Sequence, residues 1–104
     1  MMENRYSVRS PVALDVELHH GRTSFGTFKV RNISLEGMFV ETGPMHLYPS
    51  DLIDATLTVG LKPTATHEIR AVVVHHSDEG IGLIFRDYEP AFLGFLRFLS
   101  SVAA

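Results

Sequence analysis

Two arginines four positions apart, Arg5 and Arg9, stand ahead of the first regular hydrophobic pattern in the chain. Each guanidinium carries a planar fork of donors that fits phosphate oxygens or the O6/N7 edge of guanine. A second polar element follows at Asn32-Ile33-Ser34-Leu35-Glu36-Gly37, an N-x-S-x-x-G turn. There Asn32 and Ser34 can donate and accept hydrogen bonds, and Gly37 is expected to tolerate positive φ and to let a flat ring approach the backbone. Taken singly, each element is ordinary, because surface arginines keep chains soluble and turns use Asn, Ser and Gly anyway. Together they are far more specific than either is alone.

Other groups offer weaker chemistry. His19-His20 and His75-His76 invite a metal ion, but neighbours on a strand point to opposite faces and cannot share one. Asp15 and Glu17 share a strand face and imitate an acid/base pair, yet that face should be the solvated one. Ser34 sits in no G-x-S-x-G elbow, so nucleophilic catalysis has no support and no enzyme is expected. Phe25, Phe28 and Phe39 could form a stacking platform for single-stranded nucleic acid, but core packing is the better account in an acidic chain.

The elements that hold these residues belong to one domain. The chain has 104 residues, 45% of them hydrophobic and 20% charged, which is the globular range. It has no cysteine, so disulfides, thiolate metal sites and thiol chemistry are absent, and without a secretory signal the expected location is cytoplasmic. Apolar stretches near the C-terminus are interrupted by Gly94, Arg97 and Ser100-Ser101, short of the roughly 20 residues that span a bilayer. The net charge of −3 argues against a long polyanion as partner. Residues 1–31, however, hold five basic and three acidic side chains, a local +2, against four basic and nine acidic in the remainder. One end of the chain can therefore meet a small anion.

Residues 1–10 are polar, lack a hydrophobic period and stop at Pro11, which predicts a mobile leader. Residues 11–104 form the domain. Strict alternation of Val12, Leu14, Val16 and Leu18 with Ala13, Asp15, Glu17 and His19 predicts a half-buried strand. Further strands are expected over Phe25–Ile33, Met38–Thr42, Ile53–Leu61, His67–His76 and Ile81–Phe85, with a hairpin turn at Asp78-Glu79-Gly80. The β-branched run Val72-Val73-Val74 suggests burial on both faces. Phe92, Phe95, Leu96 and Leu99 recur at helical spacing between Glu89 and Val102, with Asp87 and Glu89 placed to cap the first turn. Leu93, Phe98 and Val102 widen the apolar surface of that helix beyond one contact, which points to a partner. Six antiparallel strands and a terminal helix make an all-β, six-stranded barrel, favoured because closure removes exposed edges.

The two-part signature resembles that of the PilZ domain: R-x-x-x-R, a gap of twenty to thirty residues, then [D/N]-x-S-x-x-G. The resemblance spans nearly the whole chain and implies a six-stranded β-barrel with a C-terminal helix that acts as a bacterial receptor for cyclic di-GMP. By position it implies that Arg5 and Arg9 clamp guanine edges and phosphates, that Asn32 and Ser34 hydrogen-bond the nucleotide, and that Gly37 keeps the turn open. Asn32 stands where the family pattern allows either an aspartate or an asparagine, and Asn4 where many relatives carry an additional arginine that accompanies a stacked ligand dimer. No cofactor or metal is implied, and output passes to an effector protein. The competing expectation is a scaffold of the same fold that binds no nucleotide and works through the helix surface around Phe95 and Phe98. Binding of a nucleic acid polymer ranks third.

Overall fold

The structure, a computed structural model, describes residues 14–45, 47, 49–59 and 65–103, with side chains as far as residue 99. The expected leader, with Arg5 and Arg9, and the strand ends at Val12 and Leu61 lie outside the described residues. Six strands precede one helix: β1 (Leu14–His20), β2 (Thr23–Ile33), β3 (Gly37–Glu41), β4 (Leu52–Val59), β5 (Ala65–His76), β6 (Ile81–Tyr88) and α1 (Pro90–Ala103). They close into an antiparallel barrel in the order β1-β2-β3-β6-β5-β4, and β1 pairs with β4 to complete the ring.

Period-two patterning decides which residues fill the interior. On β1, Leu14, Val16 and Leu18 point inward while Asp15 and Glu17 face out. On β4, Ile53, Ala55 and Leu57 are buried beside them. Small residues sit opposite large ones where space is tight, as Ala71 of β5 does opposite Phe85 of β6. Full burial of each Leu or Val side chain contributes about 1.5–3 kcal/mol, so the inward set dominates the stability. Among the described residues Asp15 and Glu17 meet surface partners, Lys29 at 3.8 Å and His19 at 3.4 Å.

Helix α1 buries Phe92, Leu96 and Leu99, the one stripe that 3.6-residue periodicity aligns. Phe92 meets the rings of Phe85 at 5.0 Å, Tyr88 at 5.2 Å and His67 at 5.5 Å, so the helix docks on β5 and β6. Phe95 is half-buried and stacks on His67 at 5.1 Å, whereas Phe98 is 58% exposed.

Two expectations fail for physical reasons. Asp87 does not cap the helix: it belongs to β6, opposite Arg70, and the first-turn bond runs from the Phe92 N–H to the Glu89 carbonyl. Nor is Val72-Val73-Val74 buried throughout, because a closed barrel has only one dry face. Val73 is fully buried, Val72 is half-buried, and Val74, where the β5–β6 register slips, is 50% exposed.

Candidate functional site

The N-x-S-x-x-G turn joins β2 to β3, and a β-bulge decides what it presents to solvent. Val30 pairs with Val40 and Asn32 pairs with Phe39, which leaves Arg31 as an extra residue without a partner on β3. Strict alternation from inward-facing Val30 would send Asn32 into the barrel. The extra residue reverses the parity instead, so Ile33 enters the core opposite Met38, and Asn32 comes to the outer face beside half-buried Phe39. Phe39 is therefore not a core residue, contrary to expectation, and is in register with Gly82 of β6 and, beyond it, His75 of β5.

Ser34 organises the turn itself. Its N–H donates to the Gly37 carbonyl at 2.8 Å, and its hydroxyl donates to the same oxygen at 3.3 Å. The hydroxyl also accepts the Glu36 and Gly37 N–H groups at 3.3 and 3.4 Å. One donor and two acceptor positions are what a serine hydroxyl has, so these local bonds occupy it fully before any ligand arrives. The Glu36 carbonyl accepts the Phe85 N–H at 2.9 Å, which pins the turn to β6, and Leu35 projects from it 45% exposed.

Gly37 is buried and pairs with Ile84, and its φ is not among the positive glycine values, which occur at Gly21, Gly26 and Gly43 among the described residues. The expected reason for glycine here is therefore replaced by another. A Cβ at this position would overlap the Leu83 carbonyl oxygen, so glycine is required by close approach of β6.

Arg31 was not singled out by spacing, yet it organises the outer surface of the corner. Its Nε donates to Glu41 Oε2 at 2.8 Å and its NH1 to Glu79 Oε1 at 2.7 Å. Its guanidinium lies 4.7 Å from the centroid of the Phe39 ring. The bonds to Glu41 and then Glu79 raise its pKa above the ordinary arginine value, so it stays charged. Glu79 sits in the β5–β6 turn, which is closed by the Ser77 N–H on the Gly80 carbonyl at 2.9 Å. The sequence signal for this cluster was the slip in Val30-Arg31-Asn32-Ile33, where two apolar core residues are three apart instead of two.

A shallow groove between β4, β5 and β6 offers a concave surface elsewhere, but its lining includes Asp54, Glu68, Asp87 and Glu89 against Arg70 alone. That charge repels an anion, and Arg70 is already bonded to Asp54 at 3.0 Å. Among the described residues no group of three or more His, Asp or Glu side chains gathers as a metal site. No described helix is long and apolar enough to cross a membrane. His67 is desolvated between Phe92 and Phe95, which pushes its pKa down, while Glu89 partly opposes the shift.

The family model for the PilZ domain matches residues 3–98, a span that holds both halves of the signature and all six strands. The chain belongs to the PilZ domain family. Among solved structures, this PilZ domain is similar to the Bacillus subtilis inhibitor of motility MotI/DgrA, with a TM-score of 0.76 and 17% identity. The match covers 92% of this chain and 49% of that one, so the PilZ domain described here spans about half the length of that protein. No curated protein matches the chain. Of the five residues carried by the signature, Asn32, Ser34 and Gly37 come together at the β2–β3 corner, while Arg5 and Arg9 lie outside the described residues.

Proposed function

We propose that this PilZ domain is a cytoplasmic receptor for cyclic di-GMP that works as an adapter and not as an enzyme. The observation that carries the reading is the bulge at Arg31, which turns the Asn32 amide onto the outer barrel surface beside the Ser34–Gly37 turn. An amide there can meet the edge of a guanine, and the Ser34 hydroxyl can exchange its long turn bonds for the ligand. Arg5 and Arg9 supply the two guanidinium groups that neutralise phosphates and read guanine edges. Drawing them onto the nucleotide changes the surface next to the corner, and an effector protein reads that change. Motility is a natural process for the output, since the similar solved structure is that of a motility inhibitor.

Calorimetric titration with cyclic di-GMP, with GMP and cyclic di-AMP as controls, tests the reading. A charge-assisted contact of about 1.5–3 kcal/mol per arginine means that Arg9→Ala weakens binding about tenfold to a hundredfold or more. Equal affinities would remove Arg9 from the mechanism, and no binding by the wild type would remove the receptor.

A second reading rests on Phe98, the most exposed large apolar side chain described on the helix. In it the PilZ domain binds no nucleotide and engages a motility or secretion partner through the surface around Phe95 and Phe98. Titration and output of Phe98→Glu separate the two: a receptor read at the corner keeps both nucleotide binding and output, whereas the scaffold shows no nucleotide binding and loses its output.

A further inference from the structure

Arg31 has the geometry of a ligand group that the described residues use only in part. A guanidinium has five N–H donors, and the described residues engage two of them, one on Nε through Glu41 and one on NH1 through Glu79. Three N–H donors on NH1 and NH2 remain without a described partner. The group is exposed, and Phe39 supports its flat face at 4.7 Å. The β5–β6 turn passes beside that ring, close enough that a Cβ on Gly80 would lie 3.1 Å from a Phe39 ring carbon. Aromatic ring and guanidinium thus lie one over the other next to the Asn32 position, since Phe39 is the register partner of Asn32.

We infer that Arg31 is a third, pre-positioned guanidinium of the nucleotide site, which meets a phosphate or a guanine edge of the ligand held at Asn32. This rests on the reading of the corner as a cyclic di-GMP site. Three features support it. The bulge that exposes Asn32 places Arg31 on the same outer face. The two carboxylates fix the fork before the ligand arrives, so little side-chain freedom is lost on binding. The three donors without a described partner can be used without breaking either ion pair.

Glu41 and Glu79 also set a limit. Two carboxylates on one guanidinium leave that patch with a net negative charge, so Arg31 contributes directed hydrogen bonds more than long-range attraction. A guanidinium acting by contact must be distinguished from one that merely braces Phe39, and Glu79 makes the distinction possible. Glu79→Gln removes one ion pair and one negative charge, leaves an amide oxygen that can still accept from NH1, and keeps the guanidinium.

The experiment titrates cyclic di-GMP into the wild type, Arg31→Gln and Glu79→Gln, records thermal unfolding of each without ligand, and follows the Arg31 Nε–H resonance of the wild type by NMR. Arg31→Gln should weaken binding about tenfold or more, and Glu79→Gln should stay within about threefold of the wild type. The Nε–H resonance should move with the same midpoint as the titration. Unchanged affinity in Arg31→Gln, equal losses in both variants, or an unmoved resonance at saturation would each overturn the inference while leaving the receptor intact. Should Arg31→Gln fail to fold, the wild-type resonance decides alone. A wild type that does not bind removes both readings together.

Discussion

Asn32 and Phe39 face each other on the outside of the barrel, across β2 and β3, although Val30 two residues earlier points into the core. One extra residue in β2 produces this. Without it the motif asparagine would be an amide in an apolar interior, unpaired and costly. With it, the amide is available to a ligand and Ile33 takes the core position. Asn32→Ala should accordingly weaken cyclic di-GMP binding several-fold, for the loss of about 1 kcal/mol of hydrogen bonding, with unfolding free energy changed by less than about 0.5 kcal/mol. Titration and urea denaturation of the same variant check both halves.

Gly37→Ala should act in the opposite manner. A Cβ there meets the Leu83 carbonyl, which is backbone and cannot swing away, so β3 must shift off β6. We expect a loss of about 1–3 kcal/mol of stability, the usual range for overpacking, read from the urea midpoint before any ligand is added. Stability equal to that of the wild type would show that the two strands can separate without cost.

The pair His67 and Glu89 makes stability depend on pH. Burial between Phe92 and Phe95 lowers the His67 pKa below its ordinary 6.5, so the unfolded chain binds a proton more readily than the native one. The contribution is complete above pH 6.5 and declines as the pH falls through 6.5 toward the lower native value. Unfolding free energy measured from pH 7.5 down to pH 5 should therefore fall more steeply for the wild type than for His67→Gln. Parallel profiles would show that the ring is not desolvated.

Helix α1 should tolerate change on one side only. Phe92 is fully buried among Phe85, Tyr88 and His67, and Phe92→Ala should cost about 3–5 kcal/mol. Phe98 is 58% exposed, and Phe98→Ala should change stability by no more than about 0.5 kcal/mol. Thermal unfolding of the two variants distinguishes the docked stripe from the exposed face.

Local periodicity was enough to read the strands and the helix, because a strand with one dry face places apolar residues at about every second position and a docked helix at every third or fourth, and the need to remove exposed edges pointed to a closed barrel. The signature residues Asn32, Ser34 and Gly37 were legible for the same local reason: turns carry a recognisable composition. Their individual tasks were less legible. Ser34 shapes the turn through four short-range bonds, and Gly37 makes room for a strand 46 residues further on, at Leu83.

Residue pattern alone therefore determined the architecture and family, since both rest on periodicity and on a motif within single segments. Only the tertiary structure could decide that Phe39 faces outward, that Val74 is exposed and that Arg31 joins Glu41 to Glu79. Each depends on strand register, and register is set by pairing between residues far apart in the chain. A single bulge reverses the side of the barrel on which every following side chain emerges.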